Sequence, residues 1–123
     1  MQLELEKGFG NTIRSFSRGL LTINNEDVEC NVIVSADRII KDWAPPSVSE
    51  LSIADLEPVL ALDPEVILLG TGETQAFPDG RLMTQIMRRG VGVEIMTTAA
   101  ACRTYNVLMA EQRRVVAALL IDR

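Results

Sequence analysis

The sequence predicts an α/β domain whose central β-sheet is mixed, and two observations support this prediction. The first third of the chain has short runs of β-branched and apolar residues separated by turn signals, which is typical of antiparallel strands. The second half alternates strand-like and helix-like runs, which predicts parallel strands joined by helical crossovers. A chain of 123 residues has room for one hydrophobic core, so we expect a single domain over residues 1–123.

The first third contains four strand-like runs. "TIRSFS" and "GLLTI" come first, and the turn signal "NNED" leads to "VECNVIV", so we expect a hairpin between the second and third runs. Val28, Cys30, Val32 and Val34 alternate with mostly polar residues, which predicts one continuous strand with a single buried face. "SADR" then turns the chain into a short strand, "IIKDW". We expect Trp43 to pack in the core, the alternative being an exposed contact anchor.

The consecutive prolines in "APPSV" end this region, because proline continues neither a strand ladder nor a helix. "SIADLEPVLAL" then predicts a helix with Ser52 as its N-cap and Asp55 completing a capping-box-like start, despite Pro58. "DPEVILLGTG" is a continuous apolar run that ends in glycines. Such a run is typical of a strand buried in a parallel sheet.

The last third repeats the strand and helix pattern. "DGRLMTQIMRRG" predicts an amphipathic helix with Leu82, Ile86 and Met87 facing the core and Gly90 ending it. "VGVEIM" is the next strand, and "TTAAACRTYNVLMAEQ" follows as a helix capped by one of its two leading threonines. The final run, "RRVVAALLI", fits either a helix extension or a strand, since periodicity alone does not decide between them.

The composition excludes several classes of function. The sequence has no histidine, so it lacks Ser-His and Cys-His nucleophile activation and imidazole metal ligands. Two cysteines cannot form a zinc cluster of standard spacing, and we expect neither a metal nor a cofactor. The net charge of -5 disfavours nucleic-acid binding, because acidic chains repel phosphate backbones.

The sequence also predicts the compartment. "MQLELEKGFG" has no basic start and no long apolar stretch, so we do not expect a signal peptide. The runs "VILLG" and "VVAALLI" are too short to span a bilayer. We therefore expect a soluble, cytoplasmic protein without membrane insertion, whose cysteines are reduced.

A candidate ligand site lies at the ends of the two predicted parallel strands, where α/β proteins bind their ligands. These ends are Gly70, Thr71 and Gly72 after one strand and Thr97 and Thr98 after the other. Glycines let backbone amides approach a ligand, and the N–H groups at a helix start attract anions. One hypothesis is a small anionic ligand at this rim. The alternative is a tight turn beside a helix cap, and "GTG" matches no nucleotide-binding motif.

Cys102 also has two interpretations. It shares a helical stripe with Tyr105 and Met109, so we expect it to pack against the sheet as a small hydrophobic residue. A reactive thiol would instead have to be exposed at the rim, with Arg103 beside it. We expect the ring of Tyr105 to be packed and its hydroxyl to be hydrogen-bonded.

Arg103 and Asn106 are three residues apart and share another side of the same helix. An arginine in this position could bind a carboxylate or a phosphate of a ligand. It could equally form a structural ion pair with an acidic residue such as Glu94 or Glu111. Both residues therefore belong to the candidate site.

Two segments carry a family resemblance. "PEVILLGTG" and "GVGVEIMTTAAACRTYNVLMAEQRRVVAALL" resemble the signature half of a small family of mostly uncharacterised α/β proteins, over about Ile33 to Leu120. That family includes a mitochondrial respiratory complex I assembly factor and the human adipogenesis-associated protein. The resemblance implies a three-layer fold around a mixed, mostly parallel sheet, and a strand for "RRVVAALLI". It implies no enzymatic activity and no catalytic residue.

The resemblance and the lack of a catalytic set together favour a non-enzymatic binding or assembly-type domain that acts through protein contacts. By resemblance, that role is linked to respiratory complex assembly. The alternative is a small-molecule binding protein or minor enzyme that uses the crevice formed by Gly70–Gly72 and Thr97–Arg103. A thiol enzyme that uses Cys102 is a third and weaker hypothesis.

Overall fold

The computed structural model describes residues 10–121, and within them the chain forms eight strands and three α-helices. A short 3-10 turn, Val48–Glu50, precedes the first helix. The strands are β1 Ile13–Ser17, β2 Leu20–Ile23, β3 Glu26–Val28, β4 Val32–Val34, β5 Ile39–Lys41, β6 Val66–Gly70, β7 Gly92–Met96 and β8 Val115–Leu119. The helices are α1 Ile53–Leu60, α2 Gly80–Arg88 and α3 Thr98–Ala110.

The strands form two sheets. The central sheet has the order β5-β4-β8-β6-β7, in which β6 pairs in parallel with β7 and β8, while β4 pairs antiparallel with β5 and β8. Strands β1, β2 and β3 form a separate antiparallel sheet. The predicted α/β fold, with a mixed sheet and an antiparallel N-terminal region, is confirmed. The strand that the resemblance implied for "RRVVAALLI" is β8.

Both faces of the central sheet are covered. Side chains of β6 alternate between the faces: Val66 and Leu68 pack against α3 and the small sheet, whereas Ile67 and Leu69 pack against α1 and α2. The molecule therefore has three layers with a hydrophobic core on each side of the sheet. This is why β6 and β8 are continuous apolar runs without polar alternation.

The prediction of one continuous strand over "VECNVIV" is wrong. β3 ends at Val28, and β4 begins at Val32 in the other sheet. Asn31 holds this crossover, because its Oδ1 accepts a hydrogen bond from the backbone N–H of Ile121 at 2.7 Å. Its carbonyl oxygen also accepts one from the N–H of Trp43 at 3.2 Å. The alternating pattern thus spans two strands of different sheets.

The prediction that Met87 faces the core is also wrong, since its side chain is 64% exposed. Leu82 and Ile86 are four residues apart and are buried on one face of α2, as predicted. Met87 is one residue further along and lies about 100° around the helix. Gly90 adopts a positive φ of 79° and its N–H donates to the Met87 carbonyl at 2.9 Å, so it ends the helix as predicted.

The start of α1 matches the prediction. Asp55 Oδ2 accepts a hydrogen bond from the backbone N–H of Ser52 at 2.9 Å, which fixes the first turn. Trp43 is buried, as expected, and its Nε1 donates to the Asp55 carbonyl at 3.0 Å. The packed indole therefore satisfies its single polar group within the fold.

The segment that argues against a signal peptide, residues 1–9, lies outside the described residues. Within residues 10–121, no helix has both the length and the apolar character needed to cross a membrane.

Candidate functional site

The ends of β6 and β7 lie side by side, because the two strands are parallel neighbours in which Gly70 pairs with Met96. The Thr71 N–H donates to the Met96 carbonyl at 2.9 Å, and the Thr98 N–H donates to the Gly72 carbonyl at 2.9 Å. The structure therefore brings together the glycine and threonine turns, the first five residues of the candidate site. Whether they bind a ligand depends on which of their polar groups are free.

The hydroxyl of Thr98 is buried and fully used within the fold. It donates to the Leu120 carbonyl at 2.7 Å and accepts from the Gly72 N–H at 2.8 Å, with the residue 0% exposed. A Cβ at Gly70 would lie 3.0 Å from the Thr98 Cα, so the start of α3 sits directly on the strand end. Thr98 thus ties α3 to the turn after β6 and to the segment after β8.

The other two threonines also bond within their own turns. Thr71 Oγ1 donates to the Thr74 carbonyl at 2.7 Å, and Thr97 Oγ1 accepts from the Ala100 N–H at 3.3 Å as the N-cap of α3. Gly72 has a φ of 100°, a conformation that favours glycine. These contacts correspond to the tight turn and helix cap that were the alternative to a ligand site. A ligand here would compete with all of them.

Asn106 attaches the small sheet to α3. Its Oδ1 accepts from the Ile13 N–H at 2.9 Å, and its Nδ2 donates to the Ile13 carbonyl at 2.7 Å. The side-chain amide thus pairs with the edge of β1 as a neighbouring strand would. Tyr105 reinforces the attachment, because its hydroxyl donates to the Asn11 carbonyl at 2.8 Å. Both groups of the Asn106 amide are engaged in this structural role.

Cys102 is buried against the sheet, as the structural interpretation predicted, and is 5% exposed. Burial raises the pKa of its thiol to about 12, and the nearby Arg103 guanidinium offsets only part of that effect. Burial likewise raises the pKa of the Tyr105 hydroxyl, with a further contribution from Asp37. The Cys102 thiol is therefore protonated at neutral pH and is a poor nucleophile.

Arg103 differs from the rest of the candidate site because its charged group is exposed. It pairs with neither Glu94 nor Glu111, and it forms no ion pair with any residue among 10–121. It lies beside a shallow groove of about 160 Å³ between β1 and the first half of α3. We call this the β1–α3 groove, and its lining includes Arg14, Ser15, Phe16, Ala99, Cys102 and Arg103.

A second and larger groove, of about 440 Å³, lies at the opposite end of α3 and was not predicted. We call it the α3–β8 groove, and its lining includes Asp37, Leu62, Met109, Gln112, Arg113 and Arg114. The only sequence signal for this groove is the adjacent pair Arg113 and Arg114. Its other wall is the turn after β4, which tertiary packing brings next to the C-terminal end of α3, so the sequence could not reveal the groove.

The arginines of the α3–β8 groove are paired. Arg113 Nη2 lies 3.3 Å from Glu65 Oε2, and Arg114 Nε donates to the Asp63 carbonyl at 3.1 Å. The backbone N–H of Arg114 donates to Glu65 Oε1 at 3.0 Å. This bond and the Arg113 guanidinium lower the pKa of Glu65. In neither groove, nor elsewhere in the described part of the chain, do three or more cysteine or acidic side chains cluster as metal ligands would.

Comparisons with known proteins place this chain among relatives. It is 31% identical to the "13 kDa major membrane protein" of Francisella tularensis over 103 residues, which cover 83% of this chain and 84% of that protein. It is 33% identical to the "NADH dehydrogenase (ubiquinone) 1 alpha subcomplex assembly factor 3" of Danio rerio over 122 residues. That match covers 96% of this chain and 68% of the zebrafish protein.

Solved structures confirm the fold. The NMR structure of a Xanthomonas campestris protein matches with a TM-score of 0.82 at 40% identity, covering 91% of this chain and 85% of that one. The resemblance found in the sequence, to a family that includes a complex I assembly factor, is also confirmed. Residues 13–120 match the family described as "Protein of unknown function (DUF498/DUF598)", and the chain belongs to that family.

Proposed function

We propose that this chain is a non-enzymatic, assembly-type domain that acts through protein contacts. The observation that carries the proposal is the match to the zebrafish assembly factor, which covers 96% of this chain. Nearly the whole fold described above thus corresponds to part of a protein named for assembly. The more specific version of this proposal is that the contacts serve the assembly of a respiratory enzyme complex.

The chemistry of the described residues supports a binding role over catalysis. The side chains best suited to reaction, Cys102 and Tyr105, are buried, and burial raises the pKa of each. The hydroxyl of Thr98 and the amide of Asn106 hold secondary-structure elements together. These groups contribute to the stability of the scaffold, which leaves its surface to make contacts.

The experiment that tests this proposal is affinity capture with the full, tagged chain from a native lysate, followed by size-exclusion chromatography. We expect the chain to elute with a specific protein at defined stoichiometry, and an unrelated acidic domain of similar size to capture nothing. A chain that remains monomeric and retains no protein under these conditions would contradict an assembly role.

A small anionic ligand is the second candidate function, and the exposed Arg103 is the observation that favours it. The ligand would bind on the Arg103 side of the crevice, because the other candidate residues have polar groups that already form hydrogen bonds within the fold. These residues are Gly70, Thr71, Gly72, Thr97, Thr98 and Asn106. A thermal-shift screen with phosphates, nucleotides, pterins and carboxylates tests this function. We expect Arg103→Ala to abolish any shift, and the function is excluded if no compound raises the melting temperature.

A further inference from the structure

Some of the basic residues in the described part of the chain form ion pairs with carboxylates, and others do not. Ten of the twelve lysine and arginine residues lie within residues 10–121, and six of them form ion pairs with a carboxylate. The four without such a partner in that range are Arg14, Arg38, Arg88 and Arg103. These four arginines have no carboxylate partner in that range although the chain has 17 acidic and only 12 basic residues.

Two of these four arginines, Arg14 and Arg103, line the same β1–α3 groove. The side-chain contact of Arg14 in the described structure is a long one, from Nη1 to Asn25 Oδ1 at 3.5 Å, and it involves no charge. Two arginines without carboxylate partners beside the β1–α3 groove favour a negatively charged occupant. A guanidinium pairs with a carboxylate through charge-assisted hydrogen bonds.

The size of the groove limits that occupant. A volume of about 160 Å³ compares with a share of about 30 Å³ for one water in the liquid. This is enough for one acidic side chain, and it is smaller than the roughly 300–1,000 Å³ of pockets that enclose drug-sized ligands. Phe16, Ala99 and Cys102 provide apolar lining that would contact the methylene groups of such a side chain.

The position of the groove also suggests the conformation of the segment that carries this side chain. β1 is an edge strand of the small sheet, and the Asn106 amide already pairs with its open edge at Ile13. Further along β1, Ser15 and Ser17 pair with Thr22 and Leu20 of β2, so the opposite edge of β1 has no strand partner within residues 10–121. An extended peptide lying along this stretch would continue the strand-like pairing that Asn106 begins, a recurring mode of peptide recognition.

We propose that the β1–α3 groove receives an aspartate or glutamate side chain from an extended segment of a protein partner, paired with Arg14 and Arg103. This inference rests on the proposed function, because it names the class of partner segment that an assembly domain of this shape recognises. A long polyanion such as nucleic acid is disfavoured, because the net charge of the chain is -5.

The first test uses the full chain and a fluorescent eight-residue threonine peptide with one central glutamate, and the same peptide with glutamine in that place is its neutral match. We expect the acidic peptide to bind at low salt and the neutral peptide to bind at least about tenfold more weakly. NMR titration should shift the amide signals of Ser15, Phe16 and Arg103. Equal affinity for the two peptides, or shifts confined to the α3–β8 groove, would overturn the proposal.

Two single variants separate this groove from general electrostatic attraction. Arg14→Gln and Arg103→Gln should each weaken binding of the acidic peptide about tenfold, and both side chains are exposed, so the fold should be retained. Arg38→Gln removes another unpaired arginine outside the groove and should have little effect. Equal weakening by all three variants would contradict the proposal. So would a response to inorganic phosphate without one to the acidic peptide.

A last comparison separates this inference from the proposed function. If wild type captures a protein partner and the Arg14→Gln/Arg103→Gln double variant captures it equally well, the groove proposal is wrong and the assembly role stands. If wild type captures no partner but binds the acidic peptide through both arginines, the assembly role is wrong and acidic recognition by the groove stands. Loss of both capture and peptide binding in the double variant supports the two together.

Discussion

The two ends of α3 are held in place by different interactions. Over its first nine residues, from Thr98 to Asn106, these two side chains form short hydrogen bonds to backbone groups of buried residues, and Arg103 between them has no acidic partner within residues 10–121. Beyond its C-terminal end, the exposed Arg113 and Arg114 bond to acidic residues at the surface. The first end is thus held by neutral groups and the second by charged groups.

The difference teaches which arginines are available for binding. Buried neutral hydrogen bonds are costly to break, because a group left unpaired away from water loses all its partners. Exposed ion pairs contribute little to stability, but they do occupy the charged groups that form them. The stretch of α3 from Thr98 to Asn106 therefore has a firm attachment and an arginine without an ion pair in the described residues, whereas the cations beyond the C-terminal end are already engaged.

The largest expected effect comes from Thr98→Val, which keeps the shape of the side chain and removes its hydroxyl. The Gly72 N–H and the Leu120 carbonyl would both lose a buried partner, so we expect a loss of about 2–4 kcal/mol in the free energy of unfolding. Urea unfolding measures it. Thr104→Val is the control, because that hydroxyl forms no hydrogen bond among the described residues. Equal losses for the two variants would refute the role of Thr98.

A loss of stability of comparable size is expected at alkaline pH, caused by the buried thiol of Cys102. Cys102 is protonated in both states below its unfolded pKa of 9.0. Above it the unfolded chain ionises while the folded chain does not, so stability falls as pH rises toward the folded pKa of about 12. The expected slope is about 1.4 kcal/mol per pH unit. The buried hydroxyl of Tyr105 adds to the loss at higher pH still.

The two cysteines allow a matched test of this slope. Urea unfolding of Cys102→Ala between pH 8 and pH 11 should show a shallower decline than wild type, whereas Cys30→Ala should keep the wild-type slope because it retains the buried thiol. If Cys102 were exposed and reactive, its variant would change the slope no more than the Cys30 variant. A thiol reagent would then also label it rapidly in the native protein.

A smaller and local effect is expected from Asn106→Ala, which removes both hydrogen bonds to Ile13. We expect a loss of about 1–2 kcal/mol, because these groups are only partly buried and water replaces some of the contact. Hydrogen exchange should quicken in β1–β3 and stay unchanged in β6 and β8. Val107→Ala, an exposed neighbour on α3, is the control. Faster exchange throughout the central sheet would contradict a local attachment role.

Much of the fold could be predicted from local signals in the sequence. The apolar run of β6, the Ser52 and Asp55 cap of α1 and the glycine that ends α2 each depend on residues close together in the chain. The break at Asn31 could not be predicted, because it depends on a hydrogen bond to Ile121, 90 residues away. Val28 and Val32 therefore fit one strand pattern although they belong to different sheets.

The candidate site was harder to predict for the same reason. Sequence reasoning identified Arg103 and Asn106 on one side of a helix, but β1 meets that helix through a contact between residues 93 apart. The role of Arg14 follows only from that contact. The missing acidic partner of Arg103 is likewise a property of the assembled surface. Glu94 and Glu111 were reasonable partners by sequence, yet neither pairs with it in the fold.

The smallest expected effect is that of Glu65→Gln at the other end of α3. The backbone N–H of Arg114 and the guanidinium of Arg113 lower the pKa of Glu65, so its stabilising contribution is present above the unfolded pKa and disappears as pH falls through the folded pKa. We expect a drop in melting temperature smaller than that of any variant above. It should shrink further at high salt and vanish in acid.

Glu29→Gln provides the control for this last variant, because Glu29 is exposed and forms no ion pair within residues 10–121. A large, salt-independent loss for Glu65→Gln would mean that charged contacts hold the C-terminal end of α3 as firmly as neutral ones hold the other end. The small loss we expect has a further consequence. Glu65→Gln would free Arg113 at little cost to the fold, so the variant should gain affinity for acidic peptides at the α3–β8 groove that wild type lacks.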